Sequence, residues 1–457
     1  VKSCRSSEER AAESSGDWKF PPGVERACMI GALIVFGFEL LYHYHHQTRP
    51  GGPHVVDFPT SYQAAQLAQQ HRDIYLAGKT RDVKYMYPPL IAFLFAPFTF
   101  LSLARACQAD LLMNMLCIFG SMALATKAIL KRLNAETTGA FWPVVFLCSL
   151  VSWIQIRTEL TMGETDALML FLFTLAFYWV DSKPALGGAA LGMAFNIKYL
   201  SIVAIPYFLL RWRWSAAVAT VAAAIFFALL PAALLGWREN LRDLRVAFGG
   251  LLLWVNVPPE ASHWVRIHDI ADQLSISVTS ALARLLKPGG FSNFAVMLVA
   301  TGAGLLVVGL MWRMYRRNGL PMFAWPGRKD QLRQPHNALI ALEWPGLVAA
   351  ALIFSPDTTT RHLLMGILVN TLGAVLIVTD RPGVNPIPAI LGLCIIFLTN
   401  VMPFGRAVPL LHHFYYRYSV PGLGLLLGYL LITWTALQYI AKPSTEQCEE
   451  PHAASHN

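Results

Sequence analysis

Tyr87-Pro88-Pro89-Leu90-Ile91-Ala92-Phe93-Leu94-Phe95-Ala96-Pro97-Phe98-Thr99-Phe100-Leu101 is the stretch on which the topology turns. It is apolar enough to enter a bilayer, yet Pro88, Pro89 and Pro97 interrupt it. A helix of its length reaches only about 22 Å, short of a hydrocarbon core of about 30 Å. The loop charges decide whether it crosses. If it does not, the clusters Lys127/Lys131/Arg132, Lys183, Arg211/Arg213, Arg313/Arg316/Arg317 and Arg381 fall on one side, together with both tails. If it does, the 127–132 cluster changes sides and the later clusters lose their agreement. Because Lys and Arg gather in cytoplasmic loops, the run is expected to be interfacial or re-entrant, with both termini cytoplasmic.

The rest of the chain agrees with a membrane setting. Of 457 residues, 55% are hydrophobic and only 14% charged, with a mean hydropathy of +0.46. Soluble domains carry about a quarter charged residues. Apolar runs lie near 26–44, 105–130, 140–157, 165–181, 184–197, 199–211, 214–236, 293–313, 337–355, 362–380, 385–404 and 415–440. Continuous runs exclude a transmembrane β-barrel, whose segments alternate. The expected fold is therefore an all-α polytopic membrane protein with about twelve transmembrane helices and an outer juxtamembrane helix at 87–101. The first run follows a polar leader and has no small-residue cleavage site, so it reads as a retained helix. The net charge of +9 lies at helix ends and in loops, which excludes a nucleic-acid role. No cysteine spacing suggests a metal site or a disulfide framework.

Residues 1–24 and 441–457 read as disordered cytoplasmic tails around one membrane domain, 25–440, whose two long outer loops are 45–104 and 237–292. Asn196-Ile197-Lys198-Tyr199 interrupts two apolar arms. Basic clusters on both flanks require an even number of crossings, so 184–211 is expected to be a hairpin with Lys198 at its outer tip.

That topology gathers the unusual polar residues on the outer face. Asp57 follows the first helix. Glu164 and Asp166 stand in Gly163-Glu164-Thr165-Asp166 at an outer helix junction, and Lys198 joins them. Asp272 and Gln273 precede the 293–313 helix. Arg361 and His362 close Ser355-Pro356-Asp357-Thr358-Thr359-Thr360-Arg361-His362. Polar groups at membrane depth are costly and mark cavities or substrates. Each has a plainer reading. Asp57 can be a helix cap, Glu164 and Asp166 can complement a helix dipole, and Lys198 can snorkel. Tyr85 and Tyr87 are aromatic-belt residues by default. His43, His45 and His46, beside a membrane exit, read as solvated rather than as a metal cluster.

The Asp57 loop, Tyr85-Met86-Tyr87-Pro88-Pro89-Leu90, Met162-Gly163-Glu164-Thr165-Asp166, Asn196-Ile197-Lys198 with Leu210-Arg211-Trp212-Arg213-Trp214, and Ser355-Pro356 before Arg361-His362 recur in one order. In these the chain resembles glycosyltransferase family 87 of the GT-C superfamily, which includes mycobacterial mannosyltransferases that use polyprenyl-phosphate mannose. The resemblance implies inverting transfer of a hexose, mannose first, from a polyprenyl-phosphate sugar to a lipid-linked or glycan acceptor. It places the reaction at the non-cytoplasmic face of the cell membrane. It also implies Asp57 as catalytic base. The chemistry of the residues themselves suits Lys198 and Arg361 to the departing phosphate, Glu164 and Asp166 to sugar hydroxyls, and Tyr85 and Tyr87 to sugar faces or the prenyl chain, with Gln273 and His362 as further substrate-binding candidates. No cofactor is implied; a divalent metal held by Glu164 and Asp166 stays open. Where the family commonly has Gly-Gln-x-Asn this chain has Gly163-Glu164-Thr165-Asp166. Where it often has Asn-Gln-Ser the chain reads Asp272-Gln273-Leu274. The competing class is a secondary transporter or lipid flippase, which would place ionisable groups near mid-membrane and show matched broken helices in two halves.

Overall fold

The computed structural model describes residues 21–47, 55–78, 84–135, 139–252, 269–322, 333–379, 381–401 and 409–441. The two expected tails lie largely outside these, as do parts of both outer loops. Among the described residues the chain is helical throughout, with no strand. In chain order the helices are α1 Pro22–Gln47, α2 Phe58–Gln69, α3 Pro89–Phe95, α4 Leu103–Arg132, α5 Phe141–Val151, α6 Trp153–Met162, α7 Asp166–Trp179, α8 Pro184–Phe195, α9 Ala204–Leu210 and α10 Trp214–Leu229. There follow α11 Ala232–Leu235, α12 Trp237–Leu252, α13 Val278–Leu286, α14 Asn293–Arg317, α15 Arg333–Phe354, α16 Ile367–Val378, α17 Ile387–Val401, α18 Pro409–Arg417 and α19 Val420–Ala441. Each apolar run of the sequence coincides with a helix. Among the described residues six helices are long and apolar enough to cross a membrane, or seven if the pair α5–α6, bent by 64°, is one span.

The run 87–101 folds as α3 followed by a short 3-10 turn, Ala96–Phe100, and packs flat against α2. The Tyr62 hydroxyl donates to the Leu101 carbonyl at 2.8 Å, tying the far end of the run back to α2. Phe58 is fully buried and wedges α2 against Phe95 and Phe98. α2 is thus a mostly buried helix.

The 184–211 segment returns on itself as expected. The Ser201 hydroxyl donates back to the Leu191 carbonyl at 3.0 Å, and Arg213 reaches Asp181 and the Val180 carbonyl beside the start of α8. Close packing of α8 on α10 makes this possible. A Cβ on Gly188 would stand 2.4 Å from the Ala216 carbonyl, and one on Gly192 would stand 2.5 Å from the Ala224 nitrogen. Small residues let helix backbones approach in lipid, where dispersion and polar contacts replace hydrophobic drive. Asn196 seals the tip, donating to the carbonyls of Gly192 at 3.0 Å and Ala224 at 2.8 Å.

At the other end of the bundle the basic loop residues converge. Arg132 and Arg213 share Asp181, while Arg211 pairs with Glu343 and donates to the Met322 carbonyl at 2.9 Å. The Arg132, Arg211 and Arg213 clusters therefore lie on one face, as the non-spanning reading of 87–101 requires.

Candidate active site

Asp57 is held by its backbone, and its side chain is turned away from the helix it precedes. Its N–H donates to the Met162 carbonyl at 2.9 Å, and its own carbonyl receives the amides of Thr60 and Ser61. The carboxylate makes no capping bond to α2, although Asp57 occupies the cap position. The Arg361 guanidinium donates to it instead, at 2.6 Å. Gly163, just past α6, is why this loop can sit so close. It takes a left-handed φ of +64°, and a Cβ there would stand 2.4 Å from Val55.

The turn after Gly163 carries Glu164 and Asp166, both buried. Glu159 fixes its shape by accepting the Ala167 amide at 3.0 Å, satisfying a free donor at the start of α7. Lys198, at the hairpin tip, donates to Glu164 at 2.9 Å and to Asp166 at 2.5 Å. Its ammonium also lies 5.9 Å from the centre of the Tyr87 ring. Arg361 bridges Asp57 and Glu164 through one terminal nitrogen, and its Nε donates to Thr359 at 3.3 Å. Its second terminal nitrogen makes no hydrogen bond to the described residues.

His362 is oriented by its own turn. Its Nδ1 accepts the Thr359 amide at 3.0 Å, so in the neutral ring the proton sits on Nε2. Nε2 faces Asp166 Oδ2 at 3.8 Å, and that oxygen has no hydrogen-bond partner among the described residues. Glu164, Asp166 and His362 offer ligand atoms within 4.8 Å of one another, the spacing of a metal site. The donor set does not fit one. Lys198 already binds both carboxylates, and a ring whose Nδ1 accepts an amide proton has no lone pair free on Nε2.

Burial and the neighbouring Glu164 carboxylate push Asp57 up to about 7, with Arg361 and Lys198 opposing them. For Glu164, burial works upward but Lys198 and Arg361 outweigh it, holding the group well below the usual carboxylate range. Two adjacent acids are thereby driven apart, one permanently charged and one poised near neutrality.

These groups open on a cavity of about 1070 Å³. Its polar end is formed by Glu164, Asp166, Lys198, Arg361, His362 and Tyr87. The remainder is a groove between α14 and α15, apolar down to Met311 and Gly346. From Ser355 to Gly346 the helical rise alone spans about 14 Å. Asp57 itself stands just behind Arg361, not on the cavity lining.

The structure therefore joins Asp57, Glu164, Asp166, Lys198, Arg361, His362 and Tyr87. It does not join the other two expected residues. Gln273 is exposed on a turn away from the cavity. Tyr85 is buried behind Tyr87, its hydroxyl spent on the Pro88 carbonyl and the Ala92 amide, where it closes the turn into α3. Nor is His43 solvated. It is buried against Glu39, which also accepts the Trp153 indole N–H at 2.5 Å, so α1 and α6 share a polar seam. Glu159 and Thr359 were not anticipated.

A sequence model of glycosyltransferase family 87 matches residues 85–325, just over half of the chain. The chain belongs to this family. Family 87 similarity thus covers Tyr87, Glu164, Asp166 and Lys198, while Asp57, Arg361 and His362 reach the site from outside the matched region. Two relatives are each named polyprenol-phosphate-mannose-dependent alpha-(1-2)-phosphatidylinositol mannoside mannosyltransferase. The Mycobacterium tuberculosis protein is 26% identical over 257 residues, 53% of this chain and 55% of its own length. The Mycolicibacterium smegmatis protein is 27% identical over 177 residues, 35% of this chain and 38% of its own. The chain thus spans about half the length of the first relative, and less of the second. Among solved structures, ArnT from Cupriavidus metallidurans in the apo state aligns over 92% of this chain and 78% of its own. The TM-score is 0.39 and the identity 15%.

Proposed function

We propose that the protein is a multi-pass membrane glycosyltransferase that moves a hexose, mannose first, from a polyprenyl-phosphate sugar to a lipid-linked or glycan acceptor, with inversion. The observation that carries this reading is the cavity itself. One end offers Lys198 and Arg361 beside Glu164 and Asp166, and the rest is a long apolar groove, which is the complement of a phosphate joined to a hydrocarbon tail. The names of the family 87 relatives point the same way.

In this mechanism the prenyl tail lies between α14 and α15 and the phosphodiester meets Arg361, whose second terminal nitrogen makes no hydrogen bond among the described residues. Lys198 is already neutralised by Glu164 and Asp166, so it sets the local field and positions those acids against the sugar hydroxyls. His362 offers its Nε2 proton as a neutral donor. Asp57 takes the proton from the acceptor hydroxyl, and the resulting oxygen bonds to the anomeric carbon. The bond from that carbon to the phosphate oxygen breaks, its electron pair leaving on polyprenyl phosphate. A single displacement inverts the anomeric centre. Arg361 stabilises charge that grows on the leaving phosphate, as preorganised donors do, and no step needs a metal. The acceptor reaches the site from the Asp57 side, at the non-cytoplasmic face.

Mass spectrometry of lipids from cells with and without the gene tests the proposal. A glycolipid lacking one hexose should accumulate in the deletion and disappear on complementation. An unchanged glycolipid profile would count against it.

A further inference from the structure

α14 is the most weakly held long helix of the bundle. Of its 25 residues only Val296, Ala300, Met314 and Tyr315 are buried, although its inner side walls the cavity. Its last turns carry a stripe unlike any other at that end of the molecule. Gly309, Trp312, Arg313, Arg316 and Arg317 follow helical spacing on one face and line a shallow hollow of about 520 Å³. A Cβ on Gly309 would meet nothing within 4 Å, so the glycine leaves the hollow open.

Among the described residues the charge at this site is unbalanced. Arg132 and Arg213 share Asp181, Arg211 pairs with Glu343, and Arg381 donates to the Tyr439 carbonyl at 2.7 Å. Arg313 and Arg317 have no such partner among the described residues, and Arg316 meets only the Trp312 ring, at 5.2 Å. Met322, just beyond α14, is bonded by Arg211, so the stripe lies at the same bundle end as those neutralised arginines, away from the candidate active site. An indole of this kind belongs at headgroup depth. Clustered guanidinium groups beside it attract anionic lipid.

We propose that this stripe is a binding site for the headgroup phosphate of an anionic glycerophospholipid, in the leaflet at the end opposite the active site. The phosphate lies among Arg313, Arg316 and Arg317, the glycerol backbone enters the hollow over Gly309, and the acyl chains run along the exposed Leu306 and Leu310. The bound lipid steadies α14 and hence one wall of the cavity.

Native mass spectrometry of the purified full chain, titrated with phosphatidylglycerol or phosphatidylcholine, tests this. The native chain should retain one phosphatidylglycerol and discriminate against phosphatidylcholine. R313Q/R316Q/R317Q should need about 100-fold more phosphatidylglycerol, each charge contributing a factor of about five. Gly309→Leu keeps every charge and fills the hollow, so it should also lose the lipid and serves if the triple variant does not fold. Equal retention of phosphatidylglycerol by the native chain and either folded variant, or equal retention of the two lipids by the native chain, would overturn the site.

Discussion

Replacing Glu164 by Gln tests the electrostatic tuning of Asp57 through the position of the pH–rate limb. One Arg361 nitrogen bonds a carboxylate oxygen from each acid, so those oxygens lie within about 5 Å of each other. Two unit charges at that distance interact by about 3 kcal/mol at an effective dielectric constant of about 20. One pH unit corresponds to about 1.4 kcal/mol, so removing the Glu164 charge should lower the Asp57 titration by about two units. Arg361 and Lys198, released from Glu164, act on Asp57 in the same direction. The sign is fixed by the role. A base works only when deprotonated, so in the native protein kcat/KM should be high above pH 7 and fall as pH drops through about 7. In Glu164→Gln the acid limb should move to about pH 5. The assay is initial-rate transfer from a short-chain prenyl-phosphate mannose in detergent, from pH 4 to 9. A limb that stays near 7, or moves to higher pH, would refute the coupling.

Other substitutions probe separate parts of the account. Lys198→Ala leaves Asp166 buried without its cation and Glu164 with Arg361 alone, which should cost about 3–5 kcal/mol of stability and raise the donor KM; an unchanged melting temperature and donor KM would remove Lys198 from the site. Gly304 lines the apolar groove, and a Cβ there meets only Phe354 at 3.9 Å. Gly304→Phe should raise KM for a long-tailed donor roughly tenfold, the burial lost by about two methylenes, while a short-tailed donor is unaffected; equal effects on both donors would contradict the tail assignment. Gly192→Val drives methyl groups into the α10 backbone and should destabilise by about 1–3 kcal/mol, read as a lower thermal midpoint; an unshifted midpoint would contradict the tight α8–α10 seam.

Much of this architecture is legible before any coordinates. Three prolines and the loop charges were enough to keep 87–101 out of the set of spans, and the structure folds that run back onto α2. The hairpin at 184–211 was readable because Asn196 and Lys198 break an apolar stretch between two basic flanks. Glu164, Asp166, Lys198, Arg361 and His362 were legible because each stands where an apolar run begins or ends, and Asp57 through the family resemblance of its outer loop. Other features depend on packing that spacing does not encode. Tyr85 and Tyr87 are the same residue type two positions apart, yet one closes a turn and the other faces Lys198. Gln273 neighbours the right helix, but its turn faces outward. The run 140–157 reads as one helix, whereas the chain bends by 64° at Ser152 so that Glu159 can cap α7. A polar arm carrying Gln155, Arg157 and Glu159 was the available signal.

Hexose transfer by the purified protein, compared with its Asp57→Asn variant, meets the central claim head-on. With a polyprenyl-phosphate mannose donor and a mannolipid acceptor, the native chain should form product. The variant should lose at least 100-fold in kcat at an unchanged thermal midpoint. Product formed equally well by the correctly folded variant would contradict the account.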